Sequence, residues 1–389
     1  MLKYKEHIIT EERGCAMIRV AQVLGKMNVG GVEQMAMNYY RAIDREKVQF
    51  DFYIFKGSTK VPVEEIKALG GRLFVLPTLK HPFRYSKVLK KLFAENGYDI
   101  VHCHLGTLSG FALKAAKKAG VRVRILHNLS ASGGSREWLR NLAKALLKPF
   151  ARHYATEYLA CSELAARWMY GAVPVCSLNE TAPPIKVARL THNAVDTEKF
   201  RFDEEKRRAL REELKISPQT LVFGHIGRFC PQKNQRFLVD VFKAIVAQHE
   251  DSLLIMDGNG KDRLHIQACV MAAQLTDKVI FTDHRYEPHR LYSAFDCFLL
   301  PSNYEGLPVV GVEAQAAGLY CLFSDKVTRE TKITDSVQFL DLKTPSEDWA
   351  CAAICCAGLR NEKGAEQVAA AGYEITQAAK ELEQYYLGL

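Results

Sequence analysis

Short apolar runs alternate with helix-forming stretches along most of this chain, and that alternation admits few folds. The runs Met17–Leu24, Val48–Phe55, Leu73–Leu76, Ile100–Cys103, Val121–Leu126, Tyr158–Cys161 and Val187–Leu190 have the length of buried strands. Helical segments fall between them near Val61–Leu69, Tyr85–Asn96 and Leu108–Gly120. The pattern resumes with Leu221–Ile226, Leu253–Met256, Val279–Phe281, Asp296–Leu300, Leu319–Phe323 and Val337–Leu340. Repeated strand–helix units predict parallel sheets covered by helices on both faces, with ligands beyond the carboxyl ends of the strands. At 389 residues the chain is too long for one ordinary core, so the expected class is α/β with two domains.

The densest motif runs from Asp296 to Gly318. Pro301, Ser302 and Asn303 break its strand, Pro308 stands where a helix would begin, and Gly318 closes that helix after Val309–Ala317. A strand turning tightly into a helix aims free backbone N–H groups, here near Gly306 and Leu307, at the space above the sheet, which favours an anion such as a diphosphate. Glu305 and Glu313 lie eight positions apart, about two helical turns, so both can face one crevice. The plainer reading of a bare pair is two solvated carboxylates.

Other strand ends carry related features. Gly30 and Gly31 turn the chain before a helix starting near Val32, without the Gly-x-Gly-x2-Gly pattern of dinucleotide oxidoreductases. Arg228 and Lys233 hang off the loop after Leu221–Ile226, where two cations suit a diphosphate leaving group. His284 and Arg285 follow Val279–Phe281, with Asp283 before them. His102 and His104 would share one face if their strand extends that far, and His127 ends the next strand. The His-x-His pair prompts a metal reading, but no third ligand of convincing spacing is visible and no Asp-x-Asp occurs, so no metal and no cofactor are expected.

Residues 1–16 are charged and lack an apolar core, so they read as a flexible extension rather than a secretory signal. Eleven cysteines without a Cys-x2-Cys pair point to a reducing, cytoplasmic setting. The net charge of +9 suits anionic partners, and the absence of a nucleic-acid module leaves membrane headgroups or phosphorylated substrates. Arg136–Tyr154 repeats Arg136, Arg140, Lys144, Lys148 and Arg152 every four residues, with Trp138, Leu139, Leu142, Leu146, Leu147 and Phe150 between them. Such a helix lies in an anionic membrane interface or packs its apolar stripe on the core; Pro149 should bend or break it. Val173–Pro184 reads as a loop and Glu362–Tyr386 as helical.

Taken in order, the motifs resemble those of retaining glycosyltransferases of the GT-B fold, the family-4 type (glycosyl transferases group 1) that includes bacterial capsule, exopolysaccharide and lipopolysaccharide enzymes. The resemblance rests on Gly-Gly-Val-Glu at Gly30, Gly-Arg-x4-Lys-Asn at Gly227, Glu-Gly-Leu-Pro at Glu305 and the Glu-x7-Glu spacing. It implies two Rossmann-like domains facing across a cleft: an acceptor-side domain over 17–195, a donor domain over 196–371, and a helix over about 372–389 crossing back to the first. It further implies a nucleotide-diphosphate sugar, with UDP expected, bound by Gly30, Gly31, Arg228, Lys233, Glu305, Gly306, Leu307, Glu313, His284 and Arg285. Glu313 would hold the ribose hydroxyls and Glu305 the sugar. Catalytic roles fall on Glu305, Arg228, Lys233 and His104, with His104 against the transferred sugar and His127 on the side of a saccharide or lipid-linked acceptor. Asn234 replaces the family's glycine, and Asp283 another, which leaves base recognition open. A non-catalytic scaffold binding nucleotide sugar or membrane, and a sugar-nucleotide epimerase, are the alternatives.

Overall fold

The computed structural model describes residues 17–28, 30–130, 138–181 and 185–389. The extension over 1–16 and Arg136 of the basic helix lie outside the described residues, as do the side chains of Trp138, Leu139 and Arg140. Two separate parallel sheets are present. The first contains β1 (Ile18–Val23), β2 (Val48–Phe55), β3 (Leu73–Leu76), β4 (Ile100–Cys103), β5 (Val123–Asn128), β6 (Glu157–Ala160), β7 (Val175–Ser177) and β8 (Ala188–Leu190). Its order is β3-β2-β1-β4-β5-β6-β8-β7. The second contains β9 (Leu221–Ile226), β10 (Ser252–Asp257), β11 (Val279–Phe281), β12 (Cys297–Leu300), β13 (Tyr320–Ser324) and β14 (Val337–Leu340), in the order β11-β10-β9-β12-β13-β14.

Both sheets therefore repeat one winding. Each chain segment builds outward through three strands, returns to the centre, and builds outward the other way. The reversal opens a crevice between β1 and β4 in one sheet and between β9 and β12 in the other, where doubly wound folds bind ligands. The strands are almost wholly buried because helices cover both faces, which explains their largely apolar sequences; the polar Gln49 and Asp51 of β2 are buried with them.

The chain leaves the first domain after β8 and comes back beside its own exit. Val195 and Glu374 form a parallel bridge, with Val195 N–H donating to Tyr373 O and Ile375 N–H to Val195 O. The Glu374 carboxylate then caps the helix Ile375–Leu387 by accepting from the N–H groups of Thr376 and Gln377, both at 2.9 Å. Ala378, Ala379, Leu382 and Tyr386 bury this helix against Tyr39, Tyr40 and Phe50 of the first domain.

Three local expectations are corrected. Val175–Ser177, read as loop, is an edge strand paired with β8; residues 182–184 of that stretch lie outside the described residues. The helix Trp138–Tyr154 is not broken at Pro149, because Phe150 packs on Phe111 at 5.2 Å and Ala151 is buried, so tertiary contact outweighs the lost hydrogen bond. The stretch Glu362–Tyr386 is not one helix: a turn at Gly372, φ 86°, separates Gly364–Val368 from Ile375–Leu387 and lets the chain cross between domains.

Candidate active site

A cavity of about 320 Å³ lies between the two crevices and is lined from both domains. The second domain supplies most of its charge. After β9 the chain turns through Gly227 and Arg228 to Lys233, and Asn234 enters the helix Gln235–Gln248 in a left-handed conformation, φ 54°. That is the conformation in which asparagine best replaces glycine; the Asn234 side chain makes no cap hydrogen bond. Beside this loop, Gly258 adopts φ 147°, and a Cβ there would stand 2.1 Å from Gly227 O. Backbone therefore packs directly on backbone, which fixes the height of the Arg228–Lys233 loop above the sheet.

The Glu305 loop follows β12. Glu305 pairs with Lys233 Nζ at 2.7 Å, accepts from Ser302 Oγ at 3.0 Å and from Gln232 Nε2 at 3.1 Å. Gly306 and Leu307 lead through Pro308 into the helix Val309–Ala316. One turn along it, Glu313 is buried and accepts from Tyr292 Oη at 2.8 Å. Burial pushes the Glu313 carboxyl up to about 7, with the Tyr292 bond opposing the shift.

The first domain closes over this surface. The helix Gly31–Ala42 begins opposite Val309, and a Cβ on Gly31 would lie 3.9 Å from the Val309 side chain. A Cβ on Gly30 would meet the Arg228 guanidinium at 2.8 Å, so a larger residue there would displace that cation. Glu33, next in the Gly-Gly-Val-Glu segment, has its carboxyl raised by burial, against backbone N–H groups and the Arg228 charge, which favour ionisation. Asn193, from the interdomain junction, donates to Leu307 O at 2.7 Å and ties the Glu305–Leu307 loop to the first domain.

The structure thus brings together Gly30, Gly31, Arg228, Lys233, Glu305, Gly306, Leu307, Glu313 and His284 as lining residues. His284 is oriented by Asp257, whose carboxylate accepts from His284 N–H and Nδ1–H, both at 2.8 Å, and from Thr282 Oγ1. Burial alone would raise the Asp257 carboxyl; those bonds hold it below its ordinary range. Asp283 takes the left-handed conformation, φ 53°, that a glycine would supply, and pairs with Arg263 at 3.0 Å.

Arg285 does not join the site. After two left-handed residues its guanidinium folds back onto Thr282 O at 3.1 Å and Phe281 O at 3.3 Å, away from the cavity lining. His104 and His127 are also absent from that lining and instead form a buried cluster with His102 below it. Their nitrogens lie within 4.8 Å of one another, so His127 is the third potential metal ligand that spacing in the sequence does not reveal. Ring orientation argues against a shared ion. A metal lies in the plane of each imidazole holding it, whereas His102 stacks on His104 with centroids 4.2 Å apart and planes 28° apart. Gln232, Asn193, Tyr292 and Asp257 are site residues that sequence reasoning missed. Two of them had a signal: Asn193 lies in THNAVDTEKF, which resembles the family's Asn-x-Val-Asp…Phe junction between domains, and Asp257 opens Asp-Gly-Asn-Gly, which resembles the family's Gly-x-Gly turn near the nucleotide.

Two facing Rossmann-like domains with a charged cleft define the GT-B class, and solved structures agree. HepE of Anabaena, crystallised in complex with UDP-glucose, superposes with a TM-score of 0.77 over 96% of this chain and 100% of that one, at 15% identity. The sequence matches the family Glycosyltransferase Family 4 over residues 29–199 and Glycosyl transferases group 1 over 206–340. Glycosyltransferase EpsF of Bacillus subtilis is 34% identical over 381 residues, covering 95% of this chain and 96% of the relative. The UDP-Gal:alpha-D-GlcNAc-diphosphoundecaprenol alpha-1,3-galactosyltransferase of Escherichia coli is 26% identical over 319 residues, 79% of each chain. The chain belongs to the family-4 glycosyltransferases.

Proposed function

We propose that this glycosyltransferase transfers a sugar from a UDP-sugar, with retention of anomeric configuration, to a surface-polysaccharide or lipid-linked saccharide acceptor. The observation that carries the reading is the convergence of Arg228, Lys233 and the Val309 helix N-terminus on one cavity also lined by Glu305 and Glu313. In this reading Arg228, Lys233 and the N–H groups of Gly306 and Leu307 hold the diphosphate and stabilise the charge that develops as it leaves. Glu313 takes the ribose hydroxyls and Glu305 the sugar. The acceptor oxygen attacks on the face the phosphate departs from, and the acceptor's proton passes to a phosphate oxygen. The choice of UDP follows HepE and the Escherichia coli relative, whose names carry it. No Asp-x-Asp pair is available for a metal–diphosphate bridge, so the phosphate charge is assigned to the cations and backbone alone.

We place the protein at the cytoplasmic face of the membrane. Among the described residues no helix is long and apolar enough to cross a bilayer. The helix Trp138–Tyr154 buries its far end, yet leaves Leu142 and Leu146 52% and 72% exposed, one turn apart, on a basic segment. That pattern fits contact with anionic lipid. Leu146→Glu is expected to weaken sedimentation with phosphatidylglycerol vesicles.

The deciding experiment is thermal unfolding with UDP, GDP and ADP, with and without EDTA, on wild type and Glu313→Ala. A nucleotide at 100 times its dissociation constant stabilises by about 2.7 kcal/mol. Stabilisation by UDP that survives EDTA and disappears in Glu313→Ala supports the reading. Indifference to every nucleotide would sink it and favour a scaffold.

A further inference from the structure

His225 lies fully buried in β9, two residues before the turn that carries Arg228 and Lys233. The ladder between β9 and β12 runs only through the pairs Phe223–Cys297 and Gly224–Phe298. One residue further, where the crevice opens, the His225 ring takes over: its Nδ1 lies 2.8 Å from Leu299 O. A carbonyl only accepts, so the ring proton sits on Nδ1. Burial holds the imidazole neutral, pushed down to about 4, so Nε2 keeps a lone pair. That lone pair faces Gln235 Nε2 at 3.3 Å, and the same amide nitrogen donates to Arg228 O at 2.9 Å. With two acceptors on one side, the buried Gln235 amide has one workable orientation, its NH2 group toward both.

Packing alone does not ask for an imidazole here. Phe223, two residues earlier on the same face of β9, fills the second domain's core beside Leu299, and another apolar ring would continue that layer. The imidazole adds one donor and one acceptor, and both are used. The bonds join β12, which leads into the Glu305 loop, to β9, to the first residue of the helix Gln235–Gln248 and to the Arg228 peptide. At its far end the cation loop is held from the Glu305 side: Asn303 N–H donates to Gln232 O at 2.7 Å and Asn303 Nδ2 to Pro231 O at 2.6 Å. At its near end Gly227 is crowded from two sides. A Cβ there would stand 3.3 Å from His225 Nε2 and 3.1 Å from Lys233 Cε.

We propose that His225 is a positioning residue of the donor site: through the Gln235 amide it fixes the Arg228 carbonyl, and with it the direction in which the Arg228 cation leaves the loop toward the diphosphate. This rests on the donor-site reading above and adds to it a residue that never touches the nucleotide. Without an acceptor at Nε2, the Gln235 amide keeps one partner instead of two and is free to turn, and the Arg228 peptide turns with it. Lys233 stays paired with Glu305, so the loss falls on Arg228.

The test separates the two ring nitrogens by calorimetric binding of UDP and of uridine, which lacks the diphosphate. Asparagine can keep the donor at Nδ1, and glutamine can keep an acceptor at Nε2. His225→Asn should weaken UDP binding about tenfold and leave uridine unchanged, whereas His225→Gln should hold UDP within about twofold of wild type. In an Arg228→Ala background, His225→Asn should cost UDP nothing further, because the group it positions is gone. Equal losses for UDP and uridine, UDP affinity unchanged in His225→Asn, or losses that add to those of Arg228→Ala would each leave His225 a packing residue and overturn the proposal. Should His225→Asn not fold, Gln235→Met removes the same link from the helix side and should show the same loss confined to UDP; its absence overturns the proposal equally. Wild type binding UDP no tighter than uridine would overturn the diphosphate reading itself, a result read without any variant.

Discussion

The two crevices are built on the same strand order but filled with opposite chemistry. Between β9 and β12 the second domain presents charge: Arg228, Lys233 paired with Glu305, and the Asp257 carboxylate bonded to His284. Between β1 and β4 and along β5 the first domain presents neutral rings, three imidazoles and a phenol buried beside an amide. A topology fixes where a ligand sits; the charge state of the residues at that point fixes which part of it. Diphosphate needs charge and helix dipoles, whereas a sugar needs directional neutral hydrogen bonds, which burial supplies by keeping imidazoles unprotonated.

The hardest way to break the contrast is to strip charge from the second crevice. Lys233→Ala should lower kcat/KM by about 10²–10³-fold, since on the proposed reading it removes a cation that holds the leaving phosphate, and it leaves Glu305 without its partner. A transfer assay with wild-type rates in this variant would remove the second domain's charge from the reaction.

Acid tests the first crevice. Burial pushes His104 down to about 3 and takes His102 and His127 well below their ordinary range, against about 6.5 unfolded. Their contribution to stability is complete above pH ~6.5 and drains away as pH falls toward the folded values. His225, in β9 and pushed to about 4, adds to the same slope. The unfolding temperature should drop by several degrees from pH 7 to pH 5. Glu313, raised to about 7, works the other way between pH ~4.5 and 7, because there the folded state binds the extra proton. Glu313→Gln should therefore make the acid loss steeper.

The same carboxyl sharpens the comparison from the ligand side. If ribose hydroxyls bind the Glu313 carboxylate, nucleotide binding expels its proton. UDP affinity should then rise about tenfold between pH 6 and 8, and the rise should flatten in Glu313→Gln, which cancels the nucleotide's own titration. Calorimetry in buffers of different ionisation enthalpy measures the proton release directly; an equal slope in both proteins would dissociate Glu313 from the ribose.

The smallest effect belongs to the loop that carries the cations. Asn234 already holds the left-handed conformation and makes no cap bond, so Asn234→Gly should move stability by only a few tenths of a kcal/mol and leave transfer intact. A large loss in chemical denaturation would mean the asparagine does more than tolerate its backbone.

What the sequence disclosed follows from how each feature is encoded. Strands of a parallel sheet are continuous apolar runs, so β2, β3, β4, β9, β11 and β14 could be read to the residue. The three-residue edge strand β7, Val-Cys-Ser, has too little apolar pattern to stand out from its loop. The charged crevice was legible because each of its motifs is contiguous: a strand end, a loop and a helix start. Arg285 misled because its neighbour His284 enters the cavity while the turn reverses the next side chain. The neutral crevice was illegible for a different reason. His102 and the Tyr386 hydroxyl that binds it are 284 positions apart, and no local pattern announces such a pair.

That separation also sets an order on how the molecule can be made. The helix Ile375–Leu387 emerges from the ribosome only after the whole second domain, yet it seals the core formed by β1, β2 and the helix Gly31–Ala42. The nascent first domain must therefore wait, with one apolar face open, while its neighbour is synthesised and folds. The second sheet has no such debt to a later segment and can complete its winding first. Maturation of this enzyme should run against the direction of translation, the donor half becoming rigid before the half that was made earlier.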